Sequence, residues 1–128
     1  MKKIVVDTNA LLRFFLNDLP QQKKAVEALL LRAKQAKVKL LIAQITIFEL
    51  CFVLDKYYHF KKEEIVERLK VLISTDYLYV ESREIFLSAL ILYAISTNSF
   101  VDCFLVTTAQ EEKAELFSFD RKLDRFKN

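Results

Sequence analysis

The sequence predicts an α/β fold, a parallel sheet covered by helices on both faces, and three observations carry that prediction. Short β-branched or apolar runs alternate along the chain with longer segments of helical period. Parallel neighbours need long crossovers, which are right-handed, and the intervening helical segments are long enough to supply them. No linker, repeat or low-complexity stretch interrupts the pattern, so 128 residues with 53% apolar content are read as a single domain, 1–128, around one core.

Taken in order, Lys2 to Val6 reads as a strand, and Thr8 and Asn9 can cap a helix built on Ala10, Leu11, Leu12, Phe14, Phe15 and Leu16. Pro20 suits the first turn of a second helix, where its missing N–H costs nothing, and Ala25, Leu29, Leu30 and Ala33 give that helix an apolar stripe. Lys39 to Ala43 reads as a second strand. Ile45 to Tyr58 is too long for a strand and apolar nearly all round, as expected of a central helix. Lys61 to Ser74 is amphipathic, with Ile65, Leu69 and Leu72 on one side and Glu63, Glu64, Glu67, Arg68 and Lys70 on a solvated face. Tyr77 to Val80 reads as a third strand, Glu84 to Ser96 as a largely buried helix, Val101 to Gln110 as a shorter one, and Leu116 to Phe119 as a fourth strand.

Composition excludes several functions. With no glycine, the chain has no Gly-x-Gly-x-x-Gly or P-loop cradle, because both need backbone without Cβ to approach a phosphate. His59 is the only histidine, and Cys51 and Cys103 lie far apart in apolar surroundings, so they read as buried reduced thiols rather than zinc ligands or a disulfide. No apolar run reaches the ~18 residues of a spanning helix. Asp7 also ends the first run far short of a signal peptide's h-region of ~7–15 residues. A cytoplasmic protein without a membrane segment is expected. The net charge of +3 permits a polyanionic partner without demonstrating one.

Most acids sit in polar company, but four do not. Asp7 ends Ile4-Val5-Val6, Glu49 lies within Ile47-Phe48-Glu49-Leu50-Cys51, Asp102 lies within Phe100-Val101-Asp102-Cys103-Phe104, and Asp120 ends Leu116-Phe117-Ser118-Phe119. Apolar neighbours suggest burial, and a buried carboxylate costs several kcal/mol unless a cation or hydrogen-bond donors offset it. Asp7 and Asp120 fall at the carboxyl ends of strands, and Glu49 lies in the early turns of the helix after another. These positions share the edge where open α/β sheets bind ligands. Asp102 begins a helix that can point into the same cleft. Convergent carboxylates without histidine or cysteine make an all-oxygen set that suits Mg²⁺ or Mn²⁺. Each acid except Glu49 also has a plain structural role open to it. Asp7 can cap the first helix, Asp102 is spaced from Ser99 as in a capping box, and Asp120 can cap a turn that starts at Arg121. Glu49 has no ion-pair partner three or four residues away, where Ile45, Thr46, Phe52 and Val53 stand.

Together Val5-Val6-Asp7-Thr8-Asn9, Glu49, Asp102 and Phe117-Ser118-Phe119-Asp120-Arg121-Lys122-Leu123 give the chain a pattern that resembles the PIN-domain ribonucleases, especially the VapC-type toxins of toxin–antitoxin pairs. It departs from that pattern in having no glycine near the Phe119–Asp120 turn and in ending at Asn128, where relatives often add a last strand. The resemblance implies a three-layer α/β/α sandwich around a four- or five-stranded parallel sheet, homodimers, an RNA substrate, and a cognate antitoxin that blocks the cleft. It implies Asp7, Glu49, Asp102 and Asp120 as catalytic metal-binding acids, with Thr8, Asn9 and Ser118 as supporting polar groups. The implied activity is Mg²⁺- or Mn²⁺-dependent endoribonuclease cleavage by the toxin of a type II system. Arg13, Arg121 and Lys122 are candidates for holding RNA phosphates, since basic side chains position the backbone without reading sequence. The rival reading is a non-catalytic protein- or RNA-binding module whose acids cap helices and receive a partner's arginine.

Overall fold

The computed structural model describes residues 1–127. The chain divides into two compact units, one from Met1 to Glu81 and one from Ser82 onward. The class is the expected one, α/β with a parallel sheet flanked by helices. The first unit runs β1 (Lys2–Val5), α1 (Thr8–Phe15), α2 (Pro20–Lys34), β2 (Val38–Ile42), α3 (Gln44–Lys56), α4 (Lys62–Ser74) and β3 (Leu78–Val80). The second unit contains α5 (Arg83–Ile95), α6 (Phe100–Glu111) and a short 3-10 helix, Arg121–Phe126. No helix among the described residues is long and apolar enough to cross a membrane.

The sheet has the order β1-β2-β3, with both pairings parallel. Its register aligns Ile4 with Leu40 and Leu40 with Leu78, and places Val80 beside Ile42. Because side chains alternate along a strand, Val38, Leu40, Ile42, Leu78 and Val80 fall on one face, and all are buried. The other face carries Lys39 and Tyr79, with the lysine ammonium 4.0 Å from the ring centroid. Two backbone bonds continue the ladder past the strand ends, from Val6 N to Leu41 O at 3.1 Å and from Glu81 N to Ile42 O at 3.0 Å. They hold the residues that follow β1 and β3 at the carboxyl edge of the sheet.

Three expectations are corrected. Among the described residues the sheet has three strands, not four or five, and Leu116–Phe119 is not a strand. Its period-2 apolar pattern is real, but Phe117 and Phe119 are 87% and 92% exposed and pair edge to face with each other at 5.4 Å. The helix expected to be buried nearly all round is one-sided. Ile47, Leu50, Cys51 and Leu54 of α3 are buried at spacings of three and four, whereas Ile45 and Phe52 are 70% and 60% exposed. The same holds for α5, which buries Phe86, Ala89, Leu90 and Tyr93 and exposes Ile91 and Ile95.

In the second unit Phe86 stacks on Phe100 at 5.9 Å and meets Phe104 at 4.8 Å, so α5 and α6 share an aromatic core. Cys51 and Cys103 are buried and are not joined in a disulfide, as their apolar neighbours suggested.

Candidate functional site

At the carboxyl edge of the first unit, β1 runs through Val6 into Asp7, the N-cap of α1. Asp7 has extended backbone, φ −88° and ψ 172°, and its Oδ1 accepts a hydrogen bond from Ala10 N at 2.9 Å. That bond satisfies one of the orphan N–H groups of the first turn. Oδ2 has no partner among the described residues.

The start of α3 is held differently. Its N-cap, Ala43, has no side chain able to accept, and Glu81 Oε1, just past β3, accepts from Gln44 N at 2.8 Å instead. A carboxylate borrowed from 37 residues away thus fixes where α3 leaves the sheet and favours the positive end of its dipole. Glu49 follows in the second turn.

These two helix starts frame a cavity of about 290 Å³ lined by Asp7, Thr8, Asn9, Leu12, Glu49, Val53, Tyr57 and Tyr58. Two carboxylates, a hydroxyl and a carboxamide meet there, oxygen donors of the kind that a hard divalent cation takes. Asp7, Asn9 and Glu49 are exposed and Thr8 is buried. Glu49 has no hydrogen-bond or ion-pair partner for its side chain among the described residues.

This exposure corrects the burial read from sequence. Glu49 is not offset against desolvation, because the helical period places it on the open side of α3 while its neighbours Phe48 and Leu50 turn away. Glu49, Val53 and Tyr57 recur every four residues along that side. Helical spacing counted forward from Glu49 was therefore the signal that would have found Val53 and Tyr57, which sequence reasoning missed. Glu81 left no local signal, since it acts on a helix distant in sequence.

The remaining predicted acids belong to the second unit. Asp102 is half-buried in the first turn of α6, where its own N–H donates to the Ser99 hydroxyl at 3.1 Å. Asp120 is the N-cap of the 3-10 helix, with Oδ1 accepting from Lys122 N at 2.9 Å and its own N–H donating to Ser118 Oγ at 3.0 Å. Arg121 and Lys122 are exposed. Arg13, at the end of α1, is ion-paired with Asp18 at 2.8 Å, and its side chain is only 12% exposed, so its charge is already engaged. Among the described residues no group of three or more His, Cys, Asp or Glu side chains is placed to hold a metal ion.

A family model for the PIN domain matches residues 4–128. The chain belongs to the PIN-domain family. In sequence this PIN domain is similar to a VapC ribonuclease of Aquifex aeolicus (strain VF5), at 25% identity over 122 residues, 94% of this chain and 90% of that protein. The cavity that holds Asp7 and Glu49 is thus a feature of a PIN domain matched over nearly its whole length.

Proposed function

We propose that this PIN domain is a Mg²⁺- or Mn²⁺-dependent endoribonuclease, the toxin of a type II toxin–antitoxin pair acting in the cytoplasm as one domain and as a homodimer. The observation that carries the reading is the cavity in which Asp7 and Glu49 stand together with Thr8 and Asn9. Similarity to a VapC ribonuclease supports the choice of RNA, and the antitoxin partner follows from the resemblance to VapC-type toxins.

Asp7 and Glu49 would hold the cation. Asp7 caps α1 through Oδ1, which leaves Oδ2 for a ligand. Glu49 has both oxygens available. A divalent cation held by Asp7 and Glu49 would supply an activated water and positive charge opposite the phosphate. Thr8 and Asn9 orient water through their hydroxyl and amide. Neither a histidine nor a nucleophilic side chain is required, which suits a chain whose single histidine, His59, lies outside the cavity lining. Asp102 and Asp120, with Ser118 beside the latter, are assigned to the same activity by the family resemblance. Arg121 and Lys122 are exposed cations suited to phosphate oxygens.

A non-catalytic module is the rival, and one observation favours it: Asp7 and Asp120 each cap a helix with a carboxylate oxygen. Glu49→Gln separates the two readings, because Glu49 caps nothing. RNA cleavage with Mn²⁺ should disappear in Glu49→Gln while circular dichroism stays that of the parent. Undiminished cleavage would remove Glu49 from the catalytic site, and an inactive parent protein would favour the module.

A further inference from the structure

The cavity holds two kinds of surface. Asp7, Thr8, Asn9 and Glu49 supply oxygen and nitrogen groups, which suffice for a cation and a phosphate. Leu12, Val53, Tyr57 and Tyr58 supply an apolar and aromatic wall that phosphate chemistry does not need.

The two tyrosines are not explained by the core. Tyr57 is 76% exposed, Tyr58 is exposed as well, and their rings lie 6.3 Å apart, tilted by 47°. Their backbone is nevertheless firmly held. Tyr57 N and Tyr58 N both donate to Val53 O, at 2.9 and 3.1 Å, and Phe60 N donates to Leu54 O at 2.9 Å. His59, two residues past the helix C-cap Tyr57, takes the left-handed conformation, φ 54°. Two open aromatic rings are therefore presented from a fixed helix end at the rim of a cavity containing acids. Tyrosine offers a large contact area with only two side-chain torsions to freeze.

We propose that Tyr57 and Tyr58 are substrate-positioning residues that stack a base of the RNA strand while the acids of the cavity serve its phosphate. This inference rests on the nuclease reading. Every base has a π-face, so stacking on tyrosine holds a nucleotide without reading its identity. A base inside an A-form helix has both faces covered by its neighbours, so the base taken here is unstacked.

The test measures binding rather than cleavage, in the full chain carrying Glu49→Gln so that the RNA stays intact. The probes are a short dye-labelled oligouridylate and an abasic ribose-phosphate oligomer of the same length, read by fluorescence anisotropy. Adding Tyr57→Leu should weaken oligouridylate binding about tenfold, the loss of one base–aromatic stack. Tyr57→Phe should restore affinity to within about twofold, because the ring is kept. Binding of the abasic oligomer should not change. Equal weakening on both oligomers would overturn stacking in favour of a backbone contact. Unchanged affinity for the oligouridylate would overturn the positioning role alone, and a shift in oligomeric state with it would assign the tyrosines to a protein interface. Failure to bind either oligomer both with Glu49→Gln and with Glu49 intact would remove the nuclease reading and this inference together.

Discussion

Asp7 carries two roles that a single substitution usually confounds. As N-cap of α1 it needs one acceptor oxygen, and asparagine supplies that as well as aspartate does. As a cation ligand it needs a negative carboxylate, which asparagine lacks. Asp7→Asn should therefore keep the thermal midpoint of the parent and lose RNA cleavage, whereas Asp7→Ala should lose cleavage and also about 1 kcal/mol of stability. Thermal melts and a cleavage assay on both variants check this, and retention of cleavage in Asp7→Asn would reduce Asp7 to a cap. The same reasoning explains what was legible in single residues. Asp7 and Asp120 could be read as caps because an acid before a helical run is a local signal. Asp7 and Glu49 could be read as a pair because both follow strands of a parallel sheet. Burial could not be read from neighbours in sequence. Phe48 and Leu50 flank Glu49 along the chain, but at 100° per residue they point elsewhere, and Glu49 is exposed.

The helix α3 carries Glu49, Val53 and Tyr57 into the cavity, and its position depends on an acceptor outside itself. Glu81 Oε1 receives the Gln44 N–H, while the N-cap residue Ala43 has no side-chain acceptor. Glu81→Ala should therefore cost about 1 kcal/mol, the usual worth of a cap. It should also weaken cleavage by letting the first turn of α3 fray, and Glu81→Gln, which keeps an acceptor, should recover most of the stability. Chemical denaturation of the two variants reads the difference, and equal stability of alanine and parent would show that water replaces the carboxylate at no cost. Elements of this kind were legible where period and punctuation agreed. The strand-to-helix transition at Asp7 and the Pro20 start of α2 fell within a residue or two of expectation. Leu116–Phe119 misled because alternation of apolar residues fits a strand only if another strand pairs with it, and sequence period says nothing about the partner. Phe117 and Phe119 instead turn outward and meet each other.

For the molecule as a whole, cation binding and stability are linked quantities. An ion that binds the folded chain and not the unfolded one stabilises it by RT ln(1 + [L]/Kd), about 2.7 kcal/mol at a hundredfold excess over Kd. In a chain of this size each kcal/mol is worth about 4 °C, so saturating Mn²⁺ should raise the thermal midpoint on the order of 10 °C. The cavity's acids provide the reason: Asp7 and Glu49 are exposed carboxylates lining one concavity that exists only in the folded chain, so a cation held there would bind the folded state alone. Glu49→Gln removes one of the two carboxylates at an exposed side chain that bonds to nothing among the described residues, so its metal-free midpoint should stay close to the parent's while its response to Mn²⁺ falls away. Calorimetry of parent and variant, with and without Mn²⁺, yields both quantities in one experiment. A variant whose midpoint still climbs with Mn²⁺ as the parent's does would place the ion elsewhere and leave the cavity with no claim to it. Asp120→Asn and Asp120→Ala, measured the same way alongside cleavage, tell a ligand from a cap: asparagine keeps the cap and loses the response to metal if Asp120 holds the ion, whereas alanine lowers the midpoint equally with and without metal if Asp120 only caps.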